Sequence, residues 1–210
     1  MRRFWYIFIV LIVFSMPSFA GSDSQDEVPD RWRPVINNPN DPNEFIKARW
    51  EAVVKVLKAE KLKEDRKASL VEAIVTPIFD LPLMSKLALG RKHWSELSKQ
   101  QRKDFTDAFV GCLKSNYRKK ITLYEGQQAE FDLVKRTKKT VRIEMTLKTD
   151  DSNISVLYKL HKNRNKAWRV YDVEIEGVSI ILTYRSQFDD ILQNGTIRDV
   201  ISRLRELPDC

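Results

Sequence analysis

The chain has 210 residues, carries 37 Lys and Arg against 29 Asp and Glu, and has a formal net charge of +8. This length is enough for one domain with a substantial apolar core. The basic balance favours anionic membrane surfaces or acidic partners, although it also occurs without any specific partner, and the lack of an arginine-rich stripe with interleaved aromatic residues argues against nucleic-acid binding.

The first residues have the pattern of a removable export signal. Arg2 and Arg3 precede an apolar run from Phe4 to Phe14, and Ser18 and Ala20 are small residues at the expected cleavage positions. The run is shorter than the roughly 20 apolar residues that span a bilayer, so we expect cleavage after Ala20. The general secretory route is favoured over the twin-arginine route. The sequence thus predicts a leader over 1–20, a mobile or loosely docked N-terminal arm over 21–40 and a single domain over 41–210.

Helix signals dominate the first half of that domain. Asp41 is placed as an N-cap with Pro42 at the first helical position, which predicts a helix to about residue 59. A second helix is predicted over 64–78, and a third follows Asp80 and ends at Gly90. Ser98 and Gln101 form a capping box for a fourth, longer helix. Its apolar face includes Phe105, Ala108, Phe109, Cys112, Leu113, Tyr117 and Ile121.

After Gly126 the hydrophobic period changes to two, which indicates strands. Alternation predicts one strand over 141–147 and another over 154–160, joined by a polar turn as an antiparallel hairpin with one apolar face. Two further strands are predicted at 131–134 and 168–175. Gly177 then breaks the pattern. A helix is predicted over 178–193 and a last one begins after Thr196.

Helices, a four-strand meander and helices again predict an α+β domain, with helices on one face of a curled antiparallel sheet. This layout can enclose an apolar cavity, while the plainer interpretation is that the same side chains interdigitate into a solid core. If a cavity exists, periodicity selects a set of side chains that line it, and a register error of one residue would replace a strand's whole set. The predicted set is Phe109, Leu113, Tyr117, Val141, Ile143, Met145, Val156, Tyr158, Trp168 and Val170.

Other reactive residues give weak signals. Cys112 lies in an apolar helical stripe and Cys210 is the last residue, so their spacing does not indicate a disulfide. Cys112 is predicted to be a small core residue. His93 and His161 are far apart and lack metal-binding context, so no metal and no cofactor are predicted. Arg185 could reach a phosphate, although an exposed helical arginine is the commoner explanation.

Two segments of the chain contain combinations of motifs that point to a known family. The first contains Leu87-Ala88-Leu89-Gly90, Trp94, Gln101, Phe105, Phe109, Leu113, Tyr117 and Tyr124-Glu125-Gly126. The second contains Trp168, Tyr171-Asp172, Glu176-Gly177-Val178-Ser179 and Tyr184-Arg185-Ser186-Gln187-Phe188. In this order, over roughly residues 71–204, they resemble the MlaC or toluene-tolerance family of periplasmic phospholipid-binding proteins.

This resemblance implies an NTF2-like fold with a deep hydrophobic cavity and no catalysed reaction. It also implies a carrier in the periplasm of a Gram-negative bacterium, with bound phospholipid as its cargo, and we expect the protein to be a monomer. Such a carrier moves lipid between an outer-membrane lipoprotein and porin complex and an inner-membrane ABC transporter with an MCE-domain protein, which maintains outer-membrane lipid asymmetry.

Three alternatives stay open. A relative within the family could carry a polycyclic lipid such as a hopanoid. An NTF2-like enzyme could use Asp172 with Tyr171 or Tyr158 for acid-base chemistry, although Asp172 is as well placed to cap a helix or pair with a lysine. The Gly177-Val178-Ser179 segment lacks the final glycine of a nucleophile elbow, so Ser179 is predicted to be a helix cap. A pure adaptor would have the same fold with a filled cavity.

Overall fold

The structure is a computed structural model that describes residues 28–121, 128–137, 139–148 and 152–206, with the backbone alone at 116–121 and 133–134. These residues form seven α-helices and one five-stranded antiparallel sheet. The helices are α1 Pro42–Leu57, α2 Glu64–Val75, α3 Leu81–Leu89, α4 Arg91–Glu96, α5 Lys99–Ile121, α6 Ile180–Leu192 and α7 Ile197–Glu206. The strands are β1 Gln128–Arg136, β2 Thr140–Lys148, β3 Asn153–Lys162, β4 Trp168–Ile175 and β5 Val178–Ser179.

Local capping residues fix the starts of several helices, as predicted. The Asp41 carboxylate accepts a hydrogen bond from Asn43 N at 2.9 Å at the start of α1. At the start of α5, Ser98 N donates to Gln101 Oε1 at 2.9 Å and Gln101 N donates to Ser98 Oγ at 3.2 Å. These bonds satisfy backbone N–H groups that have no partner within the helix.

Two helix boundaries differ from the predictions. The second helix ends at Val75 and continues as a 3-10 helix over Thr76–Ile78. Gly90, predicted as a helix stop, ends α3 with a φ of +79° and also precedes the short helix α4, which the sequence did not indicate. Because that positive φ is strained for side chains other than glycine, the chain can change direction between the two helices here.

The sheet is a meander in the order β1-β2-β3-β4-β5. Four strands were predicted; the fifth is the pair Val178 and Ser179, which was assigned to the following helix and instead pairs with Ile175 and Glu174. Gly177, with a φ of +78°, lies in the tight connection before this strand. The helix α6 therefore begins at Ile180, with the Ser179 hydroxyl as its cap, accepting from Leu182 N at 3.1 Å.

One large apolar core joins the sheet to the helices, and a smaller one lies between α1 and α2. The helix α1 lies against β1 and β2, and α3 and α6 lie against β4, whereas α5 packs chiefly on α3 and α7. The described part of the N-terminal arm is docked: Val28 and Trp32 pack on the smaller core, and Lys55 Nζ donates to Arg31 O at 2.6 Å.

Candidate functional site

The inner face of the sheet carries the apolar strand positions that alternation selected. Along β2 the buried residues alternate with exposed or half-buried ones, and Val141, Ile143 and Met145 are each at most 1% exposed. Met145 pairs with Val156 of β3, and Ile143 pairs with Tyr158. Directly paired residues project from the same face of a sheet, so these side chains form one continuous apolar surface.

The last strand extends this surface. Trp168 and Val170 of β4 are 3% and 0% exposed. A bulge follows, because Leu160 pairs with Val170 and the preceding residue, Lys159, pairs with Asp172. Tyr171 is the extra residue of the bulge, and its ring centroid lies 5.8 Å from that of His161. Val170, rather than Tyr171, is therefore the inward residue at this point.

Across from the sheet, α5 contributes an aromatic cluster that closes the helix layer. Phe109 is fully buried, stacked on Phe105 at a centroid distance of 5.9 Å. The rings of Tyr184 and Phe188 on α6 approach Phe109 edge-on at 5.1 and 6.0 Å. Such edge-to-face pairs add about 0.5–1.5 kcal/mol beyond the apolar area they bury. This cluster joins α5 to α6 through contacts between aromatic side chains.

Two of the predicted side chains combine a deep position with accessible surface. Tyr158 lies on the inner face, where desolvation raises the pKa of its phenol, and yet its side chain is only half-buried. Leu113, one helical turn after Phe109, packs against the core and is also half-buried. Tyr158 and Leu113 are therefore members of the predicted set that combine contacts to the core with accessible surface.

The ten predicted residues therefore fall into three groups. Seven are closed off in the core: Phe109, Val141, Ile143, Met145, Val156, Trp168 and Val170. Leu113 and Tyr158 keep accessible surface, and the side chain of Tyr117 lies outside the part that the structure describes. The sequence missed Phe131, which pairs with Met145 and packs half-buried against the core; its membership of a predicted strand was the available signal. Contact of any of these residues with a lipid stays a prediction.

Asp172 serves as a structural anchor on the opposite face of the sheet from Tyr158. Its carboxylate is 2.9 Å from Lys159 Nζ, accepts from Ser179 Oγ at 2.8 Å and accepts from Ile181 N at 3.3 Å. Glu174 also pairs with Lys159. Because Lys159 and Tyr158 are consecutive in a strand, they project from opposite faces. This geometry separates Asp172 from Tyr158, and it makes Ser179 a helix cap.

Arg185 links α6 to the end of α3. Its Nε donates to Leu87 O at 2.9 Å, and its Nη2 donates to the same carbonyl oxygen. Gly90 lies against this side chain, because a Cβ at Gly90 would be 3.7 Å from Arg185 Nε. Arg185 thus caps a helix C-terminus, where a cation interacts favourably with the helix dipole, and is half-buried rather than exposed.

Cys112 is buried on α5 and is disulfide-bonded, although the spacing in the sequence did not indicate this. Its sulfur lies 3.7 Å from the Tyr184 hydroxyl; Cys210 lies outside the described residues. Within the described ranges, no group of three or more His, Cys, Asp or Glu side chains could hold a metal ion. In the same ranges, no helix is both long and apolar enough to cross a bilayer.

Helices stacked on the apolar face of a meander sheet define an α+β fold that solved proteins share. The structure of a phospholipid-binding protein from Ralstonia solanacearum, solved in complex with a phospholipid, matches with a TM-score of 0.69. The match has 22% sequence identity and covers 79% of this chain and 96% of that one. The likeness establishes the fold.

The sequence itself identifies the family. The family model described as MlaC protein matches residues 47–206, which begin within α1 and end with α7. The chain belongs to the MlaC family.

Proposed function

We propose that this protein is a periplasmic carrier of phospholipid and not an enzyme. Family membership and the likeness to a protein solved with a bound phospholipid support this proposal. The single observation that carries it within the chain is Tyr158, because its phenol is desolvated and its side chain is still accessible. An internal apolar space between sheet and helices accounts for both properties.

The way in which α5 is held supports the same space. Among the described residues this helix rests chiefly on α3 and α7, so neighbouring helices provide most of its backbone contacts. Acyl chains would lie between the sheet and α5, in contact with Leu113, Tyr158 and Phe131. The closed residues, such as Ile143 and Val156, form the layer behind this surface, and they contact lipid only where the acyl chains displace their neighbours.

A carrier is needed because a phospholipid cannot cross water unaided. A diacyl lipid has roughly 30 methylenes, and burial contributes about 0.8 kcal/mol for each, which amounts to about 24 kcal/mol. We infer that the leader over residues 1–20 delivers the chain to the periplasm. There it would exchange lipid with an outer-membrane lipoprotein and porin complex and an inner-membrane MCE-domain ABC transporter, and so maintain outer-membrane lipid asymmetry. Since a cavity and a bilayer shield the acyl chains alike, direction would come from the transporter's ATP hydrolysis.

Lipid extraction tests the proposal directly. The full chain is expressed with its leader in a Gram-negative host, purified from the periplasm, extracted with organic solvent and analysed by mass spectrometry. We expect phospholipid in stoichiometric amount. Repeated lipid-free preparations of folded protein would contradict the carrier and favour an adaptor with a filled core.

A further inference from the structure

The two ends of the sheet differ in how their charges are arranged. Toward the end where β2 stops and β3 starts, cations are paired with acids: Lys148 pairs with Glu130, and Lys159 pairs with Glu174. The β1–β2 turn and the β3–β4 turn lie together at the opposite end of the meander. Neither residues 135–142 nor residues 162–169, which form that end, contain an Asp or Glu. We call it the basic end.

Seven cations among the described residues are exposed at the basic end. The β1–β2 side contributes Lys135, Arg136, Lys139 and Arg142. The β3–β4 side contributes Lys162, Arg164 and Lys166. Within the ranges that the structure describes, none of these seven side chains forms an ion pair with a carboxylate. Clustered charge of one sign creates a local potential that attracts partners of the opposite sign.

The pairing of β1 with β2 shows that charges are segregated along the sheet. Lys135 lies directly opposite Arg142, and the nearest acidic pair, Asp132 with Glu144, lies further from the basic end. Like charges directly opposite each other destabilise a sheet, whereas opposite charges in the same positions stabilise it. The basic end is therefore less favourable for the isolated fold than an interleaved arrangement, and an anionic partner would offset this difference.

Acids that approach the basic end from the helices are engaged elsewhere. One oxygen of Asp80 lies 2.9 Å from His161 Nε2, and the other accepts from Leu83 N at 3.1 Å. His161 is the strand partner of Arg169, and both are half-buried, so Asp80 offsets charge below the exposed turns. Asp41 caps the start of α1. Positive charge thus dominates the exposed surface of the two turns.

The side chains of the basic end suit a fluid partner. Lys162 Nζ lies 5.0 Å from the centroid of the Trp168 ring, and no hydrogen bond within the described ranges holds the other six side chains. An acidic protein is best recognised by cations in a fixed geometry, such as bidentate arginine. An anionic bilayer instead brings mobile headgroups to cations wherever they lie, and clusters of about four to eight Lys and Arg are typical of proteins that bind it. Nucleic-acid bases would need exposed aromatic rings for stacking, and Trp168 is buried.

We propose that the basic end docks this protein on the surface of an anionic bilayer. The choice of a bilayer over an acidic protein rests on the proposed carrier function, because a carrier has to meet the membrane that supplies or receives its lipid. None of the seven cations belongs to the set predicted to contact acyl chains, so docking and lipid binding can be measured separately.

Sedimentation with vesicles tests the surface. The chain purified from the periplasm is mixed with sucrose-loaded vesicles of phosphatidylcholine alone, or of phosphatidylcholine and phosphatidylglycerol in equal parts. We expect the protein to sediment with the mixed vesicles at low ionic strength and to dissociate as salt is added, because salt screens exposed charges. Equal retention on the two kinds of vesicle, or retention on neither, would overturn the proposal.

Neutralising the turns gives the second readout. The triple variant Lys139→Gln, Arg164→Gln and Lys166→Gln should lower the partition coefficient on the mixed vesicles about a hundredfold at low ionic strength. The reason is that each cation near an anionic bilayer contributes about fivefold. An unchanged urea midpoint verifies that the variant is folded. A partition coefficient within about twofold of the wild-type value would refute the basic end as the docking surface.

A matched control removes the same charge at a distant place. Lys61→Gln, Lys63→Gln and Arg66→Gln alter exposed residues after α1. The 16 residues of α1 span about 24 Å, and Asn40, just before α1, accepts from Trp168 of β4, so this control lies more than a Debye length from the basic end. It should change the partition coefficient less than about threefold. Equal losses in the two triple variants would mean that net charge alone attracts the protein, and this would overturn the proposal.

The two proposals fail in different ways. Lipid in the extract of a protein that does not sediment with anionic vesicles would refute the docking surface and leave the carrier intact. Lipid-free protein that sediments with these vesicles through the basic end would refute the carrier and leave a membrane-docking protein. Retention on immobilised poly-L-glutamate without retention on the vesicles would refute the bilayer and identify an acidic protein as the occupant.

Discussion

Replacing Phe109 by alanine separates the closed core from the proposed lipid space. Phe109 has no exposed surface and contacts three aromatic rings. Truncation of a buried Phe to Ala costs about 3–5 kcal/mol. This range already includes the loss of the aromatic pairs, which contribute about 0.5–1.5 kcal/mol each. We expect delipidated Phe109→Ala to lose about 4 kcal/mol of the free energy of unfolding.

Urea denaturation followed by far-ultraviolet circular dichroism measures this loss. With a slope of about 2 kcal/mol per molar urea, the midpoint should fall by about 2 M. Val35→Ala, at a residue 76% exposed, is the control and should change the free energy by less than about 0.5 kcal/mol. A bound ligand stabilises only the state that binds it. The assignment would be wrong if the loss were below about 1 kcal/mol. It would also be wrong if added phospholipid stabilised Phe109→Ala clearly more than it stabilised the wild-type protein, because Phe109 would then line the lipid space.

Three further changes test other parts of the structure. Leu113→Trp should lower the amount of lipid extracted per protein chain while the fold stays intact. The control Leu182→Trp, at a residue 56% exposed on α6, should leave that amount unchanged. Equal lipid content in the two variants would mean that Leu113 does not line the proposed lipid space. Asp172→Ala should lower the free energy of unfolding by about 3–5 kcal/mol, because it removes the partner of buried polar groups. In the same urea denaturation, the control Asp190→Ala, on the exposed side of α6, should lower it little. Similar losses in the two variants would contradict the role of Asp172 as a structural anchor. Burial lowers the pKa of Lys159, but hydrogen bonds to two carboxylates more than offset this and raise it above 10.5. The protonated form is thus favoured in the folded state, so this stabilisation is present below pH 10.5 and is lost as pH rises through the folded pKa. The decline in the free energy of unfolding at alkaline pH should therefore be smaller in Lys159→Met than in the wild-type protein. An equal decline would show that the ion pairs of Lys159 do not contribute to stability.

Local signals made most of the fold predictable. Asp41, Ser98 and Gln101 act through neighbours within three positions, so a sequence pattern contains the whole interaction. The short elements α4 and β5 lack this property. Six residues of α4 have no apolar periodicity, and the two residues of β5 form a strand only because β4 is already beside them.

The site was less predictable, for a physical reason. Alternation determines which side chains of β2 face inward, and this prediction is confirmed by their burial. Whether an inward side chain is closed off or faces a space depends on the separation between α5 and the sheet, which tertiary packing sets.

The energetics of lipid transfer depend on a small difference. Acyl chains leave one apolar environment for another when they pass from a bilayer into a protein cavity, so their large burial energy nearly cancels in the transfer. The proposed carrier therefore gains affinity only from the difference between its internal surface and the bilayer. Leu113, Tyr158 and Phe131 keep accessible surface, so substitutions there would act on this difference and shift lipid between protein and membrane. Substitutions of closed residues such as Ile143 would act first on the stability of the fold.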